Sequence, residues 1–583
     1  MNSKNIKHIV MAAVVGCGMA AVTTACTDTW DDHYESSAMG VNGSSLWTAI
    51  QSNPDLSNFA SVLEACGYDR RLASSQVFTV FAPTNQQFSS TDAQALIAQY
   101  NAVAATGTRD EDNPVIKEFL QNHIALYNYS VSQALSDTAI VMMNGKYQQL
   151  GYSTFGNTQL VSRNQPYANG LLYTIDQRAT FFPNVFEYLE KDADLDSLRS
   201  FLYNPLHYQL EFQEEESVEG GLDEQGRTVY LDSVFRQKNE LFNILYAKLN
   251  SEDSTYWMLA PNNEQWKKMV DEYSNYFHYE PGVKDMLQEG TPDSLFYTNV
   301  RLAIVEGTLF SRTTNTDKML QDSAMSTSCA LNYTTRRIVW GADSLHYYQY
   351  MNPLQQPDGV LTGTTDVACS NGVVKKTDDF KIRPTETFMR ERIIECEDAI
   401  RERSKAPSGK DSIETTTPVF VNVSPGNPYY GQISGNSFVE FSQEKLTINH
   451  SVTFNLTNVL SNVPYDIYIV AVPVLAGDTT VVGRERAPVK MRFQLGYHDV
   501  DGKAKTSTAT SAITTIPDSV QWIQVAGGYT FPVCSYGVSE AEPQATLKVE
   551  TRASSTEVSR ETCTRTMRFD CIVLKPRYDL ITE

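Results

Sequence analysis

The sequence has few of the residues that build metal centres and disulfide frameworks. Its 583 residues include nine cysteines and eight histidines, and no two cysteines are spaced as CxxC. That absence excludes zinc-ribbon and thioredoxin-like sites. No HExxH, GxSxG, Walker or GxGxxG pattern occurs in a context that would support one. The sequence therefore predicts no catalytic constellation, no metal site and no cofactor, and a protein that is not an enzyme.

Positive charge is also in short supply. Lysine and arginine total 47 against 69 aspartates and glutamates, which leaves a formal net charge of −22. An acidic surface repels the phosphate backbone, so nucleic acid is not predicted as a partner. The sequence also lacks an apolar run long enough to span a bilayer. Residues 9–22 are apolar, but they are too few and too rich in small side chains to do so.

The first residues are typical of a secretion signal. Lys4 and Lys7 precede the apolar run, and "TTAC" at residues 23–26 follows it. Small residues directly before a cysteine resemble the lipobox of bacterial lipoproteins, in which that cysteine is lipidated. The resemblance implies a signal peptide over residues 1–25, a lipid on Cys26 and anchoring in the outer membrane. An ordinary secretory signal is the alternative.

An acidic stretch follows the candidate lipid site. Residues 26–43 include "TDTWDDHYE" and are predicted to form a tether. This stretch resembles the export signal that sends lipoproteins of the Bacteroidota to the outer face of the outer membrane. The resemblance implies a protein that faces the cell exterior, and a merely solvated tether is the alternative.

A repeat organises the middle of the chain. "FTVFAPTNQQF" at residues 78–88 and "YWMLAPNNEQW" at residues 256–266 both lead from an apolar run through Ala-Pro to an aromatic residue. Helical spacing precedes each stretch. An Asn-Gly turn before an alternating strand follows each, at residues 169–170 and 371–372. This order predicts a duplicated structural unit.

The order of these blocks resembles that of the fasciclin domain. The resemblance implies two tandem fasciclin-like domains, at residues 44–183 and 184–388, with an insertion at 312–368 in the second. His123 matches a histidine that is linked to adhesion in eukaryotic relatives, where a tyrosine precedes it. Here Asn122 precedes it. We therefore expect His123 to be a core residue bonded to backbone.

The pattern changes after the repeat. Residues 386–406 combine helical spacing with alternating charge, which predicts a helical linker over 389–414. From residue 415 to 583, short alternating runs are separated by turn residues, which predicts an all-β sandwich or jelly roll. The predicted fold class is therefore α+β, with two tandem fasciclin-like domains followed by a sandwich.

Tyrosine clusters are the candidate binding residues. Tyr347, Tyr348 and Tyr350 lie in the insertion, and Tyr429 and Tyr430 lie near the start of the sandwich. Exposed tyrosines can stack on sugar rings or anchor a protein interface, whereas inward packing is the alternative.

Two pairs of cysteines are candidate disulfides. They are Cys329–Cys369 and Cys563–Cys571, and their spacing decides neither pairing.

Together these features predict a non-enzymatic binding lipoprotein on the cell surface. Fasciclin-like lipoproteins of this kind resemble components found beside TonB-dependent transporters. That resemblance implies an accessory role in a nutrient-uptake complex with a protein partner. One alternative is adhesion to host matrix or to other cells through a glycan or matrix ligand. Another is a glycan-active enzyme whose carboxylate pair has no sequence signature.

Overall fold

The computed structural model describes residues 43–581 except for 135, 223–227, 233–234, 286–289, 313–322, 328–338, 341–342, 345–348, 352–358, 409–410, 415, 444–447 and 540–543. The chain divides into two compact units, one ending at Phe182 and one beginning at Pro183. Cys26, Tyr347 and Tyr348 lie outside the described residues. Among the helices that are described, none is both long and apolar enough to cross a membrane.

The first unit contains the first copy of the repeat, in which helices pack on a mixed sheet. The helices are α1 (Leu46–Ser52), α2 (Ser57–Ala65), α3 (Tyr68–Ala73) and α4 (Ser90–Ala104). The strands are β1 (Phe78–Pro83), β2 (Ile124–Leu126), β3 (Thr138–Val141), β4 (Tyr147–Leu150), β5 (Thr154–Phe155), β6 (Thr158–Tyr167) and β7 (Gly170–Ile175). Their order in the sheet is β2-β1-β7-β6-β5-β4-β3, and β1 is parallel to β7.

Strand β1 is buried on both faces, which explains its continuous apolar sequence. Val80 belongs to the cluster that the helices cover. On the opposite face Phe81 stacks on Phe155, with ring centroids 3.8 Å apart. The helices are also locally encoded. Ser89 and Asp92, for example, form a capping box at the start of α4.

The Asn-Gly turn ties the return strand to the start of the first copy. The side-chain oxygen of Asn169 accepts a hydrogen bond from the backbone nitrogen of Leu46 at 2.8 Å. Its side-chain nitrogen donates to the carbonyl oxygens of Leu72 and Ser74, both at 2.8 Å. Gly170 has φ of +145°, and a Cβ there would lie 1.8 Å from the carbonyl oxygen of Phe78. This position therefore requires glycine.

The second unit opens with the second copy of the repeat. Its helices are α5 (Asp196–Leu202), α6 (Leu241–Leu245), α7 (Asn263–Tyr273) and α8 (Pro292–Val305). Its strands are β8 (Tyr208–Phe212), β9 (Val218–Leu222), β10 (Thr228–Asp232), β11 (Phe235–Asn239), β12 (Tyr256–Pro261), β13 (Leu309–Ser311), β14 (Ser323–Met325), β15 (Val339–Trp340), β16 (Asp343–Ser344), β17 (Gln349–Met351), β18 (Thr365–Cys369) and β19 (Gly372–Thr377).

The central strands of the two copies are paired alike. Like β1, β12 lies between a short antiparallel strand, β13, and a parallel return strand, β19. Val80 faces Ile124 and Leu172, and Met258 faces Leu309 and Val374. The prediction that "FTVFAP" and "YWMLAP" occupy equivalent strands is therefore confirmed.

The turn of the second copy repeats the contacts of the first. Asn371 accepts from the backbone nitrogen of Val185 at 2.8 Å and donates to the carbonyl oxygens of Leu249 and Ser251 at 2.9 Å. A Cβ on Gly372 would lie 1.8 Å from the carbonyl oxygen of Tyr256. The same dipeptide thus has the same structural role in both copies.

The sandwich contributes the remaining elements. Its strands are β20 (Arg392–Glu395), β21 (Ile400–Arg403), β22 (Lys405–Ser408), β23 (Asp411–Glu414), β24 (Thr416–Asn422), β25 (Ser437–Gln443), β26 (Ser451–Asn455), β27 (Pro464–Ala471), β28 (Lys490–His498), β29 (Ala504–Thr506), β30 (Ile513–Thr514), β31 (Gln521–Thr530), β32 (Ala545–Thr551) and β33 (Met567–Pro576), with the short helix α9 (Ser555–Ser559).

Two sheets of described strands pack face to face in the sandwich. The β33 sheet has the order β24-β25-β33-β27-β31, and β20 also pairs with β33. The β32 sheet has the order β21-β26-β32-β28-β29, and β30 also pairs with β28. Phe454 of the β32 sheet lies 5.9 Å, centroid to centroid, from both Phe441 and Phe569 of the β33 sheet. The prediction of a β-rich C-terminal region is confirmed.

The predicted helical linker at residues 389–414 is wrong. Strand β20 pairs with β33, β21 pairs with β26, and β22 and β23 form a hairpin. The spacing of "RIIECEDAI" fits a helix locally. Pairing with β33, however, gives Ile393 and Ile394 apolar partners on either side of the sheet, and tertiary pairing decides the conformation. The sandwich therefore begins at Arg392 instead of residue 415.

A continuous core joins the second copy to the sandwich. The ring of Phe277 lies 5.3 Å from Phe388 and 5.8 Å from Tyr536. The hydroxyl of Tyr279 donates to the carbonyl oxygen of Tyr536 at 2.8 Å. The second copy and the sandwich therefore form one body inside the second unit.

The candidate disulfide between Cys563 and Cys571 is not formed, because both are free, buried thiols. They belong to different apolar clusters, which places them apart. The candidate pair Cys329–Cys369 stays a prediction, because Cys329 lies outside the described residues.

Candidate functional site

Three of the tyrosines predicted for binding, Tyr350, Tyr429 and Tyr430, lie within the described residues. Tyr350 lies on β17 opposite Ala324, and only its backbone is described. Tyr429 is partly buried, and its hydroxyl donates to the carbonyl oxygen of Asp518 at 2.7 Å. Its neighbour Tyr430 is 47% exposed. Tyr429 therefore fixes the loop between β24 and β25, and Tyr430 is the accessible member of this pair.

His123 is a buried core residue, as predicted. The backbone nitrogen of Ala179 donates to its Nε2 at 3.0 Å, so the proton is on Nδ1, which donates to the carbonyl oxygen of Phe119 at 2.7 Å. Burial lowers the pKa of His123 to about 4. The imidazole is therefore neutral near pH 7 and joins a helical turn to the chain after β7.

An aromatic pair, made of an exposed tryptophan and a partly buried tyrosine, lies on the outer face of the β33 sheet. Trp522 on β31 is 39% exposed. Its ring packs edge to face on Tyr468 of β27, with centroids 5.9 Å apart. Edge-to-face contact holds the indole in one orientation while leaving part of its surface accessible. The pair can therefore present a fixed aromatic surface to a ligand.

Strand register sets the neighbours of this pair. Ile393, Val573, Tyr468 and Gln524 face one another across β20, β33, β27 and β31. Val470 lies opposite Trp522 and is fully buried. The aromatic pair thus lies beside apolar side chains of the same sheet face, and the exposed side-chain amide of Gln524 lies next to it. Such a surface combines apolar contact with groups that can donate and accept hydrogen bonds.

Sequence reasoning missed this pair, although the sequence contained a signal for it. In "QWIQV" at residues 521–525, Ile523 and Val525 occupy the inward positions of the strand. Trp522 consequently falls on the outward face, where polar residues are usual. A tryptophan on the polar side of an alternating strand is the pattern that would have identified it.

A group of carboxylates lies deeper in the same sheet. Asp570 and Cys571 together oppose Val470, which makes a bulge in β33. The backbone nitrogen of Ser434 donates to both carboxyl oxygens of Asp570, and the hydroxyls of Ser434 and Ser437 donate to Glu395 and Glu397.

Asp570 is protonated near neutral pH. Burial, with a further contribution from the two glutamates, raises its pKa to about 9. Asp570 has no exposed surface and cannot touch a substrate. Within the described residues, no group of three or more histidine, cysteine, aspartate or glutamate side chains is arranged to hold a metal ion.

Residues 54–178 match the family model of the fasciclin domain. This stretch is therefore a fasciclin domain, and the resemblance seen in the sequence is confirmed for the first copy of the repeat. The second copy has the same central strand pairing and the same Asn-Gly contacts. No curated protein is similar in sequence to the chain.

Solved structures with related arrangements include a pair of FAS1 domains from the insect cell adhesion molecule Fasciclin I. That pair is 12% identical, with 58% of this chain and 97% of the pair covered and a TM-score of 0.18. The CBM22-1 xylan-binding domain of Paenibacillus barcinonensis Xyn10C is 13% identical, with 32% and 92% covered and a TM-score of 0.20. A Paenibacillus xanthan lyase is 13% identical, with 36% and 16% covered and a TM-score of 0.21. Likenesses at these scores support no conclusion about ligand or activity.

Proposed function

We propose that the chain is a non-enzymatic, lipid-anchored surface protein whose sandwich binds carbohydrate on the outer face of the β33 sheet. The observation that carries the proposal is the exposure of Trp522 and its fixed contact with Tyr468. Aromatic side chains placed in this way contribute much of the affinity at binding surfaces.

The chemistry of the neighbouring residues favours a neutral ligand. Gln524 offers an amide that can donate and accept hydrogen bonds, as sugar hydroxyls require. Sugar C–H groups pack on aromatic faces through apolar contact, and the chain's net charge of −22 disfavours polyanions. A neutral polysaccharide is therefore the proposed ligand class.

Affinity electrophoresis in gels that contain soluble neutral polysaccharides tests this site. Trp522→Ala should weaken binding by roughly tenfold or more, in the range of interface anchors. Phe420→Ala, which removes an exposed aromatic ring from β24 at the opposite edge of the same sheet, is the matched control and should bind as wild type. Wild-type migration that no neutral polysaccharide retards, or equal losses in the two variants, would refute the site.

The anchoring part of the proposal rests on "TTAC" and the acidic residues that follow it. Cys26→Ser should block acylation and release the chain from membranes. Metabolic labelling with a palmitate analogue measures this directly. Absence of label on the wild-type chain would remove both the lipid anchor and the outer-membrane location from the proposal.

The finer proposal is an accessory role in a TonB-dependent nutrient-uptake complex, with the chain facing the cell exterior. Its support is the family resemblance together with the surface-export signal. Purification of the tagged chain from detergent-solubilised outer membranes should recover a TonB-dependent transporter in constant ratio. Recovery of the chain alone would refute the accessory role.

Adhesion is the second candidate function, and the fasciclin domain at residues 54–178 favours it. Cells that produce the wild-type chain should then adhere to immobilised matrix proteins, and cells that produce Cys26→Ser, which is released, should not. Adhesion that is equal in the two strains would exclude this role for the chain.

A further inference from the structure

A cavity of about 210 Å³ lies in the first unit, between the loop that follows β2 and the strands β3 and β4. Ile140 and Leu150, from the apolar cluster on the sheet face away from the helices, form part of its wall. Much of the remaining wall comes from residues that carry a hydroxyl, namely Tyr129, Ser130, Ser132, Ser136, Thr138 and Tyr152. The cavity therefore offers apolar contact together with groups that can donate and accept hydrogen bonds.

The loop over the cavity is fixed by side chains of the sheet. Asn164 of β6 accepts from the backbone nitrogen of Val131 at 3.0 Å and donates to its carbonyl oxygen at 2.7 Å. The hydroxyl of Tyr173 on β7 donates to the carbonyl oxygen of Tyr129 at 2.7 Å. These bonds form the cavity before any ligand arrives, which limits the ordering cost of binding.

The first residue of this loop has an unusual backbone conformation. Tyr127 has φ of 67°, in the left-handed region that a bulky side chain rarely adopts, although its side chain is 71% exposed. Residues held in such conformations cluster at binding sites, where the surrounding structure imposes them. The conformation of Tyr127 is thus an observation, independent of the cavity itself, that points to function in this loop.

An unpaired guanidinium lies beside the cavity. Arg163 of β6 stacks on the ring of Tyr152, with its Cζ 4.2 Å from the ring centroid. Its side chain is partly exposed, its Nη1 has no hydrogen-bond partner, and no acid within the described residues pairs with it. Cation–π contact orients the guanidinium without using its N–H groups, so its exposed donors are available to a ligand.

An unpaired carboxylate lies at the neighbouring position of the wall. Gly151 lines the cavity, and the Oδ1 atom of Asp137 lies 2.6 Å from the point that a Cβ on Gly151 would occupy. Asp137 is exposed, and among the described residues its carboxylate has neither a hydrogen-bond donor nor a cation as partner. One free acceptor and one free cation thus flank the cavity at adjacent positions, 151 and 152.

We propose that this cavity binds one neutral, polyhydroxylated six-membered ring, such as a single sugar residue. The ring packs on the face of Tyr152 that Arg163 does not cover, Asp137 accepts from its hydroxyls, and Arg163 donates to them. The site belongs to the first unit, so it does not rest on the carbohydrate binding proposed for the sandwich.

Volume and charge select this ligand class. An apolar cavity of roughly 150 Å³ holds benzene, so about 210 Å³ has room for one six-membered ring with hydroxyl substituents. An anion would be repelled by Asp137 and a cation by Arg163, whereas the hydroxyls of a neutral ring pair with both.

Saturation-transfer-difference NMR tests the site, with the full chain and the methyl glycosides of glucose, galactose and mannose as probes. At least one glycoside should bind saturably, and Tyr152→Ala should weaken that binding by roughly tenfold, the effect of losing one aromatic contact. Tyr147→Ala is the matched control. Tyr147 is 45% exposed against 38% for Tyr152, but it lies on the opposite face of β4 from Leu150 and should not matter. Absence of saturable binding, or equal affinities of Tyr152→Ala and wild type, would overturn the proposal.

Charged analogues test the ligand class. The uronate and the amino sugar of the best-bound ring should each bind more weakly than the neutral glycoside, and tighter binding of either would overturn the neutral class. Asp137→Asn should reduce the discrimination against the uronate, and unchanged discrimination would remove Asp137 from the site. Maltose, lactose or mannobiose, whichever ends in the best-bound ring, distinguishes the source: affinity equal to that of the glycoside indicates the end of a glycan, and lost affinity indicates a free monosaccharide.

The substitution Trp522→Ala separates this site from the one proposed on the sandwich. It should leave the affinity for the methyl glycoside unchanged, because Trp522 belongs to the second unit. Loss of glycoside binding in Trp522→Ala, with none in Tyr152→Ala, would overturn the cavity site and leave the sandwich site intact. Circular dichroism checks that each variant is folded.

Discussion

Removal of the Asn169 side chain tests whether one residue holds the fasciclin domain together at its start. Asn169→Ala deletes three hydrogen bonds, from the backbone nitrogen of Leu46 and to the carbonyl oxygens of Leu72 and Ser74. These groups belong to α1, α3 and the residue after α3, so the substitution separates both helices from the β6–β7 turn.

The magnitude follows from what is left behind. Leu46 and Asn169 are buried, so the backbone nitrogen of Leu46 would have no other partner. A buried polar group left unsatisfied costs about 1–3 kcal/mol. The two carbonyl oxygens add less, because Ser74 is exposed and water can reach its oxygen. We expect a loss of about 3 kcal/mol in the unfolding free energy of the first unit.

Hydrogen exchange followed by mass spectrometry measures this locally. A loss of about 3 kcal/mol corresponds to roughly hundredfold faster exchange in peptides that cover α1. Asn101→Ala, at an exposed position of α4, is the control and should leave exchange unchanged. Asn371→Ala should accelerate exchange in the second copy of the repeat, after Pro183, and leave α1 protected. Wild-type exchange in α1 of Asn169→Ala would refute the reasoning.

The remaining predictions concern a backbone position and two buried titratable groups. In urea titrations, Gly372→Ala should lower the free energy of unfolding by at least about 3 kcal/mol, because its Cβ would meet the carbonyl oxygen of Tyr256. Gly282→Ala should lower it by only about 1 kcal/mol, because there the Cβ meets nothing within 4 Å at φ of +85°. The pKa of His123 is about 4 in the fold and ordinarily 6.5, so the unfolded chain binds the extra proton and the first unit should lose stability as pH falls from about 6.5 to about 4. His123→Gln should remove that dependence, and an unchanged profile would contradict it. The pH dependence expected from Asp570 has the opposite sign, because its pKa is about 9 in the fold and ordinarily 3.8. The second unit should therefore lose stability as pH rises between these values. Asp570→Asn should flatten this profile, and a slope that persists in the variant would count against the assignment.

The sequence predicted the repeat because its signals are local. Ala-Pro ends each central strand and Asn-Gly forms each turn, and both signals act within a few residues. What the Asn-Gly dipeptide does across the chain was not predictable, since Asn169 contacts Leu46 from 123 residues away. Local chemistry identified the turn, and only the fold revealed what the turn holds in place.

The errors arose where distant partners decide the structure. Residues 392–403 have a helical pattern, but they are the strands that complete both sheets of the sandwich. Tyr430 is exposed, and its role in binding stays a prediction. Trp522 was missed because it belongs to no aromatic cluster in the sequence, and only its position on an alternating strand places it on the outer face.

The core shared by the second copy and the sandwich has a consequence for how the protein can be divided. Phe277, Phe388 and Tyr536 form a common aromatic layer across the sequence boundary near residue 389. In the first copy the equivalent stretch after α4, residues 105–113, is polar and mostly exposed. If the chain were divided at that boundary, each fragment would expose apolar surface to water, and the fragments would aggregate or reassociate. The second copy and the sandwich should therefore be expressed and should fold as a single piece.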